Sequence, residues 1–175
     1  KEFNDIFAEP DYQSSARPKM DEALGLGKHK IPLEEGAPLP RNERRGNLSE
    51  EKVAAIIEFV KTLIKKGYVE PSESPLAAPV LLVLKPDGQR RFTVDYRAIN
   101  YITQGDAYMP PKPETLYPMM RGAKVFARMD ARDGFWGIPM EPSDKWKTAF
   151  QTPIGLYQWK VMPMGLKGSP ARFQR

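Results

Sequence analysis

Apolar residues fall along the chain in two contrasting patterns, helical and extended. Val53, Ile56, Ile57, Val60, Leu63 and Ile64 recur at helical spacing and line one face of a helix. Asn47 or Ser49 can cap its start, and Glu50 follows Asn47 by three residues, as in a capping box. Lys65 and Lys66 suit the negative end of the helix dipole, and Gly67 is a natural stop. Pro79-Val80-Leu81-Leu82-Val83-Leu84 is instead a continuous apolar run of strand length. Pro86-Asp87-Gly88 supplies turn chemistry. Arg91-Phe92-Thr93-Val94-Asp95-Tyr96 alternates as a return strand does. The pattern predicts a hairpin whose tip carries Lys85, Arg90 and Arg91 and is suited to touching phosphates.

The second half of the chain predicts shorter elements. Residues 101–113 form a proline-rich loop, and Pro113 starts a short helix that ends at Gly122. Val125-Phe126-Ala127-Arg128-Met129 reads as a strand ending at Asp130. Strands follow at Lys147–Gln151 and Leu156–Val161, joined by a turn at Thr152-Pro153-Ile154-Gly155. Ser169 as N-cap and Pro170 at the first helical position open a last helix. The chain stops inside that helix, as expected of a cut chain. Residues 1–46 hold Pro10, Pro18, Pro32, Pro38 and Pro40 with Gly25, Gly27 and Gly36. They read as an extended arm or linker with one short strand around His29 to Pro32, closed by Arg41, Arg44 and Arg45. No internal repeat is present. The mixture of helices and strands gives an α+β fold class.

Composition narrows the chemistry. At 175 residues the chain suits one domain, or one and a half. With 41% hydrophobic and 28% charged residues it has the makings of an ordinary core. No run of about 18 apolar residues occurs, so no membrane span is expected. Lys1-Glu2-Phe3-Asn4-Asp5 carries no signal-peptide pattern. The absence of cysteine excludes disulfides and thiolate metal sites. His29, the single histidine, cannot build a His-based site alone, so any metal must take oxygen ligands of the magnesium type. A net charge of +5 fits a polyanionic partner, and equally a basic surface kept for solubility.

Three segments carry candidate chemistry. Asp130 stands at a strand end, and Asp133 three residues later shares its side if residues 131–134 curl as a helical turn. Magnesium takes one or two carboxylates and fills its shell with water and phosphate oxygens. The local pattern alone favours a turn and a helix cap over that metal site. Lys85 and Arg91 read either as a triphosphate grip or as a solvated charged turn. In Pro163-Met164-Gly165-Leu166-Lys167-Gly168-Ser169-Pro170, glycines allow close backbone approach to a ligand. An ordinary strand-to-helix connection would read the same.

The order and wording of these segments say more than each alone. Ser74-Pro75-Leu76-Ala77-Ala78-Pro79-Val80, Leu84-Lys85-Pro86-Asp87-Gly88 and Arg91-Phe92-Thr93-Val94-Asp95-Tyr96-Arg97-Ala98-Ile99-Asn100 closely resemble the fingers of reverse transcriptases. So do Phe126-Ala127-Arg128-Met129-Asp130-Ala131-Arg132-Asp133-Gly134-Phe135, Lys147-Thr148-Ala149-Phe150 and Val161–Gln174. The chain resembles the gypsy-type LTR retrotransposon Pol polyprotein, with retroviral polymerases more distant, from about residue 29 onward.

The resemblance implies a partial right-hand polymerase fold: a fingers subdomain and an incomplete palm. Residues 1–46 would be an N-terminal arm, 47–105 and 138–168 fingers, 106–137 palm, and 169–175 the start of a palm helix. Asp130 matches the first catalytic aspartate, a ligand of two magnesium ions, for which manganese is a possible substitute. The Ala131 carbonyl matches a ligand of the nucleotide-side metal. Lys85 and Arg91 match triphosphate contacts, as do the backbone amides of Asp133 and Gly134. Phe135 matches the aromatic beneath the incoming sugar, where it selects deoxyribonucleotides. Met164 matches a nucleotide-pocket position, and Asp95, Arg97, Gly165 and Pro170 match positions lining the template path or the nucleotide pocket.

The implied partners are an RNA template, a DNA primer or RNA–DNA hybrid, and deoxynucleoside triphosphates. The remaining palm, thumb, RNase H and integrase of the polyprotein are implied as well. The implied location is an intracellular retrotransposon particle in the cytoplasm, or the nucleus. Two departures stand out. Retroviral enzymes usually carry Gln, and many gypsy-type elements Phe, where this chain has Met164. Many gypsy-type elements read Leu-Asp-Leu where this chain has Met129-Asp130-Ala131. No Tyr-x-Asp-Asp occurs in the 175 residues, so the fragment is expected to be inactive alone. The competing expectation is a degenerate or domesticated remnant that only binds nucleic acid.

Overall fold

A computed structural model describes residues 27–42, 48–84, 88, 90–108, 111–127 and 133–175. Helix α1 spans Glu50–Lys65 and buries Ile56, Val60 and Leu63, three of the predicted stripe. Its N-cap is Ser49, whose side chain makes no capping bond. Asn47, the other predicted cap, lies outside the described residues. The C-terminus follows the prediction closely. Gly67 takes φ 70°, and its N–H bonds Ile64 O at 2.9 Å while Tyr68 N–H bonds Leu63 O at 3.0 Å. That is a Schellman motif, which satisfies the last carbonyls and needs the left-handed residue that glycine supplies.

A five-stranded mixed sheet lies against this helix, in the order β1-β5-β4-β2-β3. The strands are β1 Val69–Pro71, β2 Ala78–Leu84, β3 Arg90–Val94, β4 Phe150–Thr152 and β5 Gly155–Trp159. The hairpin pairs β2 with β3 in antiparallel register, Val80 opposite Val94 and Leu82 opposite Phe92. Cross-strand partners share a face, so these four side chains form one apolar patch. Phe59 of α1 stacks on Phe92 at 4.6 Å. Phe92 in turn meets Phe150, fully buried, edge-on at 5.8 Å. The return strand ends at Val94, so Asp95 and Tyr96 fall just beyond it. Short helices follow: α2 Arg97–Tyr101, α3 Pro113–Leu116 and a 3₁₀ turn Tyr117–Met120 that stops before Gly122.

Three sequence expectations fail for identifiable reasons. The strand predicted from Lys147 begins only at Phe150, because Lys147 and Thr148 close a 3₁₀ helix, Pro142–Thr148. Residues three apart eclipse in a 3₁₀ helix, and this places Lys147 Nζ 2.7 Å from Asp144 Oδ1. The strand predicted from Val125 is absent from the described part, residues 125–127. Val125 and Phe126 are 87% and 67% exposed, and no described strand lies alongside to pair with them. Ser169 does not cap α4, Ser169–Gln174; Gly168 is the N-cap. Buried Ser169 Oγ instead donates to Pro163 O at 3.1 Å. The turn at Thr152–Gly155 forms as predicted, closed by Thr152 Oγ1 donating to Gly155 O at 2.7 Å.

The stretch expected to be an extended arm or linker is extended over residues 27–42, with His29 and Ile31 buried. It forms isolated bridges, His29 with Met140 and Leu33 with Thr103, in place of a regular strand. Its anchor is a buried ion pair. Asp144 Oδ2 accepts from Ile31 N–H at 2.7 Å, and Lys147 Nζ donates to Ile31 O at 2.8 Å. Both charged side chains are only 13% exposed. His29 beside them is buried. Its pKa is lowered from 6.5 to about 4 by burial first and then by Arg172, with Asp144 and Asp106 opposing. Among the described residues, no helix is long and apolar enough to cross a membrane.

Two outcomes follow from this anchoring. Asp144→Ala should cost about 3–5 kcal/mol, because it strands the Lys147 charge in the interior. Adding Lys147→Met should recover part of that loss in urea unfolding, and a double variant no better than the single one refutes the pairing. For His29, unfolding frees the ring to take up a proton, so acid favours the unfolded chain. Stability should therefore fall between pH 6.5 and about 4, by at most about 3 kcal/mol, and have no His29 contribution above that window. Urea midpoints across this range should fall less steeply in His29→Gln; equal slopes would refute the assignment.

Candidate nucleotide site

Segments far apart in sequence converge along β3. Arg91 projects from β3, and its Nη2 donates to Met164 Sδ at 3.5 Å. The loop carrying Met164 is held from two sides. Asn100 Nδ2 donates to Gly165 O at 2.7 Å, while its Oδ1 accepts from Lys167 N–H at 2.9 Å. Gly165 sits at φ 94°, where a Cβ would be strained, and it would stand 3.5 Å from Tyr96 Cδ2. Tyr96 is buried and donates its hydroxyl to Thr148 O at 2.9 Å. Burial pushes that phenol well above its ordinary pKa, so it stays a neutral donor. Together Phe59, Arg91, Trp136, Trp159, Met164 and Gly165 line a cavity of about 240 Å³.

The residues from Asp133 to Gly137 come next. Asp133 adopts φ 53° and ψ 32°, a left-handed conformation uncommon outside glycine. Its carbonyl accepts from Trp136 N–H at 2.8 Å and starts the 3₁₀ helix Gly134–Gly137. Phe135 packs against Phe173 of α4 at 5.0 Å, and Trp136 lies 5.1 Å from Tyr68. Phe135 thus has a packing role whatever else it does. Lys85, Asp130 and Ala131 lie outside the described residues, and so does the predicted sharing of one side by Asp130 and Asp133. Among the described residues, no cluster of three or more His, Cys, Asp or Glu could hold a metal.

The four predicted template-path residues do not come together in one cavity. Asp95 and Arg97 form a bidentate pair, Nε to Oδ1 at 2.9 Å and Nη2 to Oδ2 at 2.7 Å. They line a second cavity of about 420 Å³ with Arg41, Asn42, Leu76 and Lys147. Asn42 fixes one rim, donating to Pro75 O at 3.1 Å and accepting from Ala77 N–H at 2.8 Å. Gly165 lines the Arg91 cavity, and Pro170 is exposed in the first turn of α4. Sequence reasoning missed Asn100, Asn42 and Trp136. Asn100 had one signal, a polar residue four positions after a buried Tyr96 within the same motif.

Comparison with known proteins bears on this arrangement. A family model described as "Reverse transcriptase (RNA-dependent DNA polymerase)" matches residues 83–175. The chain is 41% identical over 120 residues to the enzymatic polyprotein of Cauliflower mosaic virus (strain D/H), covering 66% of this chain and 18% of that protein. It is 31% identical over 140 residues to the genome polyprotein of Petunia vein clearing virus, covering 78% of this chain and 6% of that protein. The chain therefore spans under a fifth of the length of these relatives. Among solved structures, a foamy viral protease-reverse transcriptase in complex with RNA/DNA hybrid matches with a TM-score of 0.65 and 21% identity. That match covers 95% of this chain and 24% of the foamy viral chain, and it supports the α+β partial polymerase fold.

Proposed function

The chain belongs to the reverse transcriptase family, and from that premise we propose that it forms the fingers and first palm segment of an RNA-directed DNA polymerase within a retroelement polyprotein. The observation that carries this reading is the convergence of Arg91, Trp136 and Met164–Gly165 on one cavity. Three motifs separated in sequence meet where an incoming deoxynucleoside triphosphate would sit. Residues 47–105 and 138–168 are assigned to fingers, 106–137 and 169–175 to palm, and 1–46 to an N-terminal arm. This division is supported by the sheet, which takes all five strands from the two fingers segments.

The residues would act as follows. Arg91 and Lys85 hold the triphosphate through charge-assisted hydrogen bonds, joined by the backbone amides of Asp133 and Gly134. Met164 cannot hydrogen-bond a nucleotide as Gln would; its sulfur accepts from Arg91 and so orients that guanidinium. Phe135, braced by Phe173, would collide with a 2′-hydroxyl. Asp95, Arg97, Gly165 and Pro170 border the RNA template, with the DNA primer beyond. The chain has no cysteine, and its one histidine is buried beside Arg172, so oxygen donors are what it offers a cation. That donor set fits magnesium, with manganese as a substitute. Asp130 and the Ala131 carbonyl would hold the two ions, which when bound lower the primer hydroxyl's pKa and stabilise the leaving pyrophosphate.

The lineage is a finer proposal. The motif wording favours a gypsy-type retrotransposon, acting in a cytoplasmic particle or the nucleus. The Cauliflower mosaic virus likeness favours a viral polyprotein. An RNase H segment followed by an integrase zinc finger in the flanking sequence decides for the gypsy-type element, and their absence decides against it.

The enzymatic reading makes three outcomes measurable. The 175-residue chain should extend no primer, whereas a longer polyprotein carrying Tyr-x-Asp-Asp should. In that longer protein Asp130→Asn should lower synthesis by about 1,000-fold, since a metal-held charge contributes several kcal/mol to the transition state. Wild-type synthesis by that variant would refute the metal role. Phe135→Val should raise ribonucleotide incorporation relative to deoxyribonucleotide in the same assay. An unchanged ratio would leave Phe135 a packing residue only.

A further inference from the structure

A third cavity, of about 820 Å³, opens where the segment 27–32 crosses the 103–107 loop and α4. It shares no lining residue with the Arg91–Met164 cavity. Its cations are Lys28, Lys30, Lys167, Arg172 and Arg175, against Asp106 and Glu141. Two of the cations are already answered. Arg175 bonds both Asp106 oxygens, at 2.9 and 3.1 Å, and Lys167 Nζ donates to Thr103 O at 2.6 Å. Arg172 is different. Its Nε is buried without an acceptor, and no carboxylate pairs with its guanidinium among the described residues. Arg172 is half-buried, and a guanidinium carries five donors and no acceptor, so its fork lines the cavity with donors to spare.

The backbone around Arg172 has been cleared of side chains. A Cβ on Gly27 would stand 2.8 Å from Arg172 Nη2, and one on Gly168 would stand 3.4 Å from His29 Cε1. The guanidinium and the imidazole therefore both reach the cavity wall. His29 is 3% exposed, and Arg172 acts on it as a repelling neighbour. Lys28 and Lys30 are exposed at the mouth. Excess positive charge, a planar donor fork and a polar lining define what fits. A phosphate group offers several acceptor oxygens to the Arg172 fork and one to two negative charges that Arg172 and the two lysines share.

We infer that this cavity binds a phosphate group, held by the Arg172 fork with Lys28 and Lys30 at the rim. The site goes beyond the polymerase reading and stands whether or not the chain takes part in synthesis. The phosphate belongs either to a small molecule or to a nucleic-acid backbone, and the test separates the two.

The single histidine makes the test direct, because one imidazole Cε1–H resonance reports on the cavity. Titrating the 175-residue chain with inorganic phosphate should raise the midpoint of the His29 titration by about 1 pH unit, since a nearby anion favours the imidazolium. Arg172→Gln should raise that midpoint without phosphate and abolish the response to it. The Lys28→Gln/Lys30→Gln variant changes only exposed positions, so its folding is not at issue, and it should weaken the response. A short RNA–DNA hybrid acting far below the phosphate concentration needed assigns the site to a backbone phosphate. Phosphate or a nucleotide acting where the hybrid does not assigns it to a small molecule. A His29 resonance unmoved by either probe, or moved equally in wild type and both variants, overturns the inference.

Discussion

The clamp that Asp144 and Lys147 place on Ile31 organises the rest of the molecule. One carboxylate takes the Ile31 N–H, and one ammonium takes its carbonyl. Ile31 has no strand partner among the described residues, and its buried backbone would otherwise be unsatisfied. The clamp lets an irregular segment enter the core without a sheet to receive it. His29 and Leu33 then bridge to Met140 and Thr103 on either side. The Met140 segment continues through Met162 N–H to Ile138 O at 2.7 Å. Met162 leads directly into the Met164 loop. One buried ion pair thus sets the position of the N-terminal segment relative to both neighbouring cavities.

The same economy of partners shapes the Met164 loop. Gly165 cannot carry a side chain at its φ, so the loop has no side chain there to anchor it. Asn100 supplies both missing bonds from outside, as donor and acceptor. Arg91 supplies a third through the Met164 sulfur. A thioether is a weak acceptor and rearranges easily. The arrangement therefore fixes the backbone firmly and leaves the Arg91 guanidinium free to exchange sulfur for a stronger, charged acceptor. A Gln at position 164 would bind Arg91 more tightly and would compete with such an acceptor. Met at that position is thus consistent with an arginine that hands itself over.

What was legible in the sequence follows from how local each signal was. The α1 stripe and the hairpin are each complete within a few turns or one strand pair, and both form where periodicity placed them. Gly67 carried its helix stop in its own backbone preference. Lys147 and Thr148 were misread because their alternation suits a strand, while the bond that decides them runs to Asp144 and Ile31. Ser169 was misread for a related reason: a buried carbonyl at Pro163 claims its hydroxyl. Val125 and Phe126 had the right residues for a strand and lack a described partner. The candidate site divided the same way. Arg91, Met164 and Gly165 were found through motif order, whereas Asn100 and Trp136 became visible only once tertiary contacts showed what they hold.

These misreadings share one cause that also bears on the chemistry. Each misplaced residue is polar, or apolar without a described partner, and takes its structure from something distant in the chain. Residues with that dependence are the ones that report what a structure still needs. Arg172 is the clearest case: a buried donor on a helix face, in a chain whose other described interior cations have found carbonyls or carboxylates. Lys147 and Lys167 show how such a cation settles when an acceptor is in reach. Among the described residues Arg172 has no such acceptor in reach, and the glycines around it keep the space open rather than filling it. A cation left in that state is stable only if the cavity is wet or carries an anion, and of the two only an anion cancels its charge.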